Sequence, residues 1–136
     1  MKKFFFLFIE LGENDILVNL DMSWCSIRLA GAKELAEAIG ENSGLISLNL
    51  SNNSFTNDTI ELLTNSLARN ITLCELDLSD NQFICRYDVA VKANPRILLT
   101  GNGSELYKMI VSALTNQSLK ILRVRRIKEG TVTNFI

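Results

Sequence analysis

Short stretches of alternating apolar and polar residues recur along this chain at a fixed interval. Leu48-Asn49-Leu50-Ser51 alternates with period two, the pattern of a strand with one buried face. It sits inside Leu45-Ile-Ser-Leu48-Asn-Leu50-Ser-Asn-Asn53-Ser-Phe55. Leu73-Cys-Glu-Leu76-Asp-Leu78-Ser-Asp-Asn81-Gln-Phe83 has the same spacing, as does Leu17-Val-Asn-Leu20-Asp-Met22-Ser-Trp-Cys25-Ser-Ile27. The three stretches are 28 residues apart (73 − 45 = 28; 45 − 17 = 28). A fixed period of this size predicts stacked supersecondary units. Leu45, Leu48, Leu50 and Phe55 are expected to point inward, with Asn49 and Ser51 outward. Stacked strands of this kind form a parallel sheet, and each crossover needs a dozen or more residues. The 17 residues between Phe55 and Leu73 are enough for a helix.

The helices show in the same pattern. Leu35, Ala36 and Ile39 make an apolar stripe over 32–39, with Lys33, Glu34 and Glu37 on the wet side. The next helix is expected to open at Asp58, with Glu61 three residues on as in a capping box. Ile60, Leu63 and Leu67 form its stripe, and Arg69 suits its negative C-terminal end. Asn14, Asn42, Asn70 and Asn116 each precede a first apolar position by three residues, which predicts a left-handed turn closing each helix. Met1-Lys-Lys-Phe-Phe-Phe-Leu-Phe-Ile9 imitates a signal peptide, but Glu10 ends its apolar run early and no small-residue cleavage site follows. Shifted by one period, Leu7, Leu11, Gly12, Glu13 and Asn14 fall on Leu35, Ile39, Gly40, Glu41 and Asn42, so residues 4–14 read as a half-repeat, a helix whose strand is missing. Terminal repeats usually carry a polar outer face; Phe4, Phe5, Phe6 and Phe8 do not supply one. Either this end meets a partner or a second copy, end to end, or the chain is a piece of a longer array.

The period breaks after Phe83. The next clear match is Leu119-Lys-Ile-Leu122-Arg-Val124, and 119 − 73 = 46, which is 28 + 18. The preferred division places a degenerate repeat near 94, because Ile97-Leu-Leu99-Thr-Gly-Asn102 copies the core from Leu76 to Asn81; Asn94 and Pro95 then replace its first Leu. An inserted loop or hairpin is the alternative. Ser104 is expected to cap a helix carrying Leu106, Ile110, Ala113 and Leu114, and 125–136 reads as a frayed terminal segment.

Asn53 and Asn81 stand where the strand leaves the sheet and backbone groups need new partners; an Asn side chain offers donors and an acceptor for them. These residues resemble leucine-rich repeats of the ribonuclease-inhibitor-like class, with repeats starting near 17, 45, 73, 94 and 119. The resemblance implies an α/β right-handed solenoid, a horseshoe segment with a parallel β-sheet on the concave face and helices on the convex face, as one domain over 1–136. It implies an asparagine ladder in which Cys, as at Cys25, is an accepted substitute. Members of the class are mostly intracellular protein-binding modules, among them nuclease inhibitors, innate immunity sensors, bacterial effectors and GTPase activators.

Composition narrows the function. A net charge of −1 gives no global field toward nucleic acid or membrane surfaces. Three cysteines, two of them inside repeats, read as free thiols in a reducing compartment, hence a cytoplasmic protein, with a secreted effector as the alternative. The chain has no histidine, which removes Ser-His-Asp and Cys-His catalysis, and its dispersed cysteines cannot close a zinc site. Gly101-Asn-Gly103-Ser104 lacks the Gly-Lys-Ser/Thr ending of a phosphate loop. Glu75, Asp77, Asp80 and Asp21 cluster, yet an open sheet gives them no pocket in which to work as acid and base. No enzyme activity, cofactor or metal is expected.

What remains is the exposed strand face. Its outward positions are Asn19, Asp21 and Ser23; Ser47, Asn49 and Ser51; Glu75, Asp77 and Ser79; then Lys120 or Ile121, Arg123 and Arg125. The face runs from neutral through acidic to basic, which is either self-neutralising surface or a recognition surface. Trp24, just past the first strand, is either an aromatic anchor or buried under the Phe-rich helix. The expected function is a non-enzymatic module binding another protein through this face. A regulator resembling Ran GTPase activators, using Arg123, Arg125 and Arg126, and an effector mimicking host repeats are the alternatives.

Overall fold

The computed structural model describes residues 5–82, 84–85, 98–101, 119–124 and 128–129. Three helices alternate with three short strands: α1 (Phe5–Glu13), β1 (Asn19–Asp21), α2 (Leu29–Glu41), β2 (Ser47–Asn49), α3 (Asn57–Arg69) and β3 (Glu75–Asp77). Four further strands follow, β4 (Ile84–Cys85), β5 (Leu98–Gly101), β6 (Ile121–Val124) and β7 (Lys128–Glu129). All pairings are parallel. The main sheet has the order β1-β2-β3-β6-β5, and β4 pairs with β7 in a second, two-stranded sheet.

The register follows the leucines. Leu20 pairs with Leu48, Leu48 with Leu76, and Leu76 with Leu122. Register is strongly specified here because a one-residue slip would turn every leucine outward. α2 packs between α1 and α3. Leu35 and Ile39 of α2 join Leu48, Leu50, Phe55 and Leu76 in one buried cluster shared between helices and strands. Helices beside parallel strands, repeated along the chain, make an α/β repeat fold.

The sheet order differs from the expected order of coils. The strand after β3 is β6, not the strand of the segment near 94, and β5 lies beyond β6. Leu119-x-x-Leu122-x-Val124 carries the full apolar pattern and can seat both Leu119 and Leu122 in the core, where they are buried. Position 94, the first of the degenerate repeat, the helix expected after Ser104, and Asn116 lie outside the described residues, as does Phe83.

The asparagines form two hydrogen-bonded ladders. Asn81 Oδ1 accepts from the Asn53 and Phe55 N–H groups, and Asn53 Oδ1 accepts from those of Cys25 and Ile27. Their Nδ2 groups donate to carbonyls of the preceding coil, Leu50 for Asn81 and Met22 for Asn53. Cys25 ends this ladder, its thiol 3.5 Å from the carbonyl of Ser23 in its own coil. Asn42 and Asn70 form the second ladder at the helix ends. Each accepts two backbone N–H groups from the turn that follows it. Each also donates to two carbonyls of the coil before, Leu11 and Asn14 for Asn42, Ile39 and Asn42 for Asn70. The left-handed turn expected at these residues is absent, since Asn42 (φ −67°) and Asn70 (φ −81°) are extended. Side-chain bonding, not a tolerance for positive φ, accounts for asparagine there.

The capping box is also corrected. Thr56 is the N-cap of α3 and makes no side-chain cap bond; its carbonyl accepts from the Thr59 N–H and hydroxyl. Asp58 sits exposed in the first turn, where its charge suits the positive end of the helix. The side chain of Ile60 lies outside the described set.

Candidate protein-binding face

The parallel register lays the outward residues in two rows. One is Asn19, Ser47, Glu75 and Ile121; the other is Asp21, Asn49, Asp77 and Arg123. Ile121, not Lys120, therefore takes the row position on the last of these strands. Asn19 and Asp21 are exposed and the other six half-buried.

Part of the second row has local work to do. The Oδ1 atoms of Asp21, Asn49 and Asp77 accept the N–H of the serine two residues on, each at 2.9 Å, to Ser23, Ser51 and Ser79. Each is an Asx turn that bends the chain out of the strand. The signal for it was present as the recurring Asp/Asn-x-Ser triplet, which strand alternation alone reads only as outward, inward, outward. The bend explains the departure from the expected outward positions at Ser51. Ser51 is buried, as is Ser79, because the chain has already turned inward there. The Ser51 carbonyl accepts from the Trp24 N–H and Asn53 Nδ2. Bonds from the Ser23 hydroxyl, and then from its N–H, hold the Asp21 carboxyl below its ordinary value.

A third row stands just past the strands. Trp24, Asn52 and Asp80 are one period apart, and all have positive φ, 57°, 56° and 57°. Asn and Asp tolerate this left-handed geometry, but a tryptophan there is strained. Trp24 is nonetheless 77 % exposed, so it is not buried under α1. Its backbone N–H donates to the Ser51 carbonyl, as that of Asn52 does to the Ser79 carbonyl, so the left-handed geometry recurs with the repeat.

Charge on the face is partly self-neutralised. Arg123 lies 3.6 Å from Glu75, with both side chains over a third exposed, a pair worth little to stability. Asp21 and Asp77 add negative charge to the described face. Arg125 lies outside the described residues. Cys25 and Cys74 are free thiols. Among the described residues no group of three His, Cys, Asp or Glu side chains could hold a metal ion, and no helix is long and apolar enough to cross a membrane. Of the phenylalanines in the N-terminal stretch, Phe8 is buried in the core, so α1 presents Leu7 and Ile9 outward. Phe4 and the side chains of Phe5 and Phe6 lie outside the described set.

Residues 44–66, which span β2 and most of α3, match the family model for the Leucine Rich Repeat. Together with the alternation of helices and parallel strands, the match supports a leucine-rich repeat protein. Such repeats are generally modules for binding other proteins rather than enzymes. No curated protein matches the chain.

Proposed function

We propose that this protein is a non-enzymatic interaction module of the ribonuclease-inhibitor-like class, with 28-residue repeats wound into a right-handed horseshoe segment. A partner protein docks on its concave strand face. The observation that carries the reading is Trp24, a large aromatic side chain held in water on a strained backbone at the rim of an open face. Backbone strain of this kind clusters where a side chain has a task. Buried aromatic anchors in turn supply much of the energy of interfaces. Around Trp24 the contact residues are Asn19, Asp21, Ser47, Asn49, Glu75, Asp77, Asp80 and Arg123, with Arg125 added from the sequence pattern. The free thiols suit a reducing cytoplasm.

Charge reversal tests it. Glu75→Lys, Asp77→Lys, Arg123→Glu and Arg125→Glu together should abolish capture of the partner in a pull-down, while Lys33→Glu and Glu34→Lys on α2 leave it intact. Unchanged capture by the strand-face variant removes the reading. Activation of a GTPase, as in Ran GTPase activators, would need arginines at the rim, and Arg123 is engaged with Glu75. A stimulated-hydrolysis assay separates that reading, and localisation in host cells separates an effector.

A further inference from the structure

Two strands compete for the place beside β3. β6 occupies it, with Leu122 on Leu76 and Arg123 on Asp77, while β5, earlier in the chain, stands one place further out. β1, β2 and β3 are laid down in chain order, but the chain then passes over a place to set β5 and steps back to fill it with β6. Across one face of a sheet a backward step has the opposite hand to a forward one, and parallel crossovers are almost always right-handed. The order that continues the first three coils is β3-β5-β6.

The register of β5 is a second observation. In the sheet Leu99 lies on Leu122, in line with Leu76, and Gly101 lies on Val124. The sequence pattern is displaced from this by two residues. Ile97-Leu-Leu99-Thr-Gly-Asn102 matches Leu76-Asp-Leu78-Ser-Asp-Asn81 with Ile97 on Leu76 and Leu99 on Leu78. A slip of two residues keeps each side chain on its own face, whereas a slip of one does not. Set beside β3 in the pattern's register, β5 would align Ile97 and Leu99 with the buried Leu76 and Leu78. Arg96 would fall opposite Glu75, an opposite-charge pair. Asn102 would fall one coil on from Asn81, where it could continue the ladder that Asn81 forms with the Asn53 and Phe55 N–H groups. Beyond β6 and two residues out of that register, β5 realises none of these pairings.

β6 suits either place. Its repeat starts 25 residues after the one near 94 (119 − 94 = 25), a leucine-rich length that leaves room for a crossover. Beside β3 it is held by the buried Leu119 and Leu122 and by Arg123, 3.6 Å from Glu75. We propose that β5 and β6 exchange places beside β3, a two-position device in which β5 slides by two residues as it moves. Both orders use the same strands, all parallel, with the same number of ladders, so the exchange sacrifices no strand pairing; two packings of one sequence can then lie close in free energy. The exchange rewrites the strand face. Beside Glu75 and Asp77, Ile121 and Arg123 give way to Arg96 and Leu98, so the cation leaves the row of Asp77 for that of Glu75. This consequence for binding rests on the strand-face reading of the function; the exchange itself does not.

The test is NMR on the full chain, by saturation transfer between arrangements and by NOEs across the strands. Arg123→Glu sets a carboxylate beside Glu75 and Asp77 in the observed order, but beside Leu98 and Arg96 in the exchanged one, so it disfavours only the first. It should raise the population of a second set of signals about threefold to tenfold over the unaltered chain. That set should show Leu76–Ile97 and Leu78–Leu99 contacts, with Leu20–Leu48 and Leu48–Leu76 unchanged. Adding Ile97→Asp should remove it. Arg123→Gln, which only deletes the ion pair, should act in the same direction and serves where Arg123→Glu fails to fold. Leu76–Leu122 contacts alone in both Arg123 variants, a Leu76 that meets neither Leu122 nor Ile97, or a second set that survives Ile97→Asp overturns the proposal. No partner enters this readout, so its failure is distinct from unchanged capture in the pull-down.

Discussion

Removing the amide of Asn53 should remove a large share of this protein's stability. Its Oδ1 accepts from the Cys25 and Ile27 N–H groups, both at 3.1 Å, and its Nδ2 donates to the Met22 and Leu50 carbonyls at 2.9 and 3.0 Å. In Asn53→Ala the Ile27 N–H and the Met22 carbonyl are stranded among buried residues, while the Cys25 N–H, only partly buried, recovers a bond to water. A stranded buried group costs about 1–3 kcal/mol, so two of them, allowing for some relaxation, come to about 3 kcal/mol. That is a large share of the ~5–15 kcal/mol that holds an ordinary domain together. Urea denaturation followed by circular dichroism reads it as a fall in the midpoint at constant slope. The control is Asn52→Gly next door, where φ is 56° and Gly is at ease; it should change stability by less than about 0.5 kcal/mol. A loss under about 1 kcal/mol for Asn53→Ala, or equal losses for both variants, would refute the ladder as a structural cause.

Three further perturbations have definite signs. Gly44→Ala places a Cβ 2.7 Å from the backbone of Asp15, which cannot swing aside as a side chain would; a loss of about 1–3 kcal/mol is expected in the same denaturation assay, and a neutral result would show that the first two coils are not packed this closely. Trp24→Asn copies the residue one period later and should raise stability by about 1 kcal/mol by relieving the left-handed strain, while weakening partner binding; a fall in melting temperature would mean that the indole packs on the fold. The lowered carboxyl of Asp21 stabilises the fold above its ordinary value of 3.8 and loses that contribution as pH falls through the lower, folded value. In an NMR pH titration Ser23→Ala should move this midpoint upward, part of the way back, because the hydroxyl bond is the larger cause; an unmoved midpoint contradicts that assignment.

The sequence made the sheet legible wherever one residue type had one task. Leu48 and Leu76 are buried and Leu20 packs half-buried against them, so their shared spacing marked both strand and register. Asparagine has several tasks, and spacing alone does not choose between them. Asn53 and Asn81 were readable as ladder residues because they end a strand, but Asn42 and Asn70 invited a left-handed turn and proved to be extended ladder residues instead. Ser51 was misplaced because alternation was carried one residue past the bend that Asn49 makes. The order β3-β6-β5 was hidden for a different reason: local similarity ranked the segment near 94 by its place in the chain, whereas the sheet places β6 next to β3. Of the outward strand face, the rows were legible and the strain at Trp24 was not, since it appears only when Trp24 is set against Asn52 and Asp80.

Long-range NOEs across the strands measure the central claim most directly. The account predicts backbone contacts linking Leu20 to Leu48, Leu48 to Leu76, and Leu76 to Leu122, all in parallel register. Contacts from Leu76 to Leu99 in place of Leu122, or a register shifted by one residue that turns Asn49 and Asp77 inward, would contradict it.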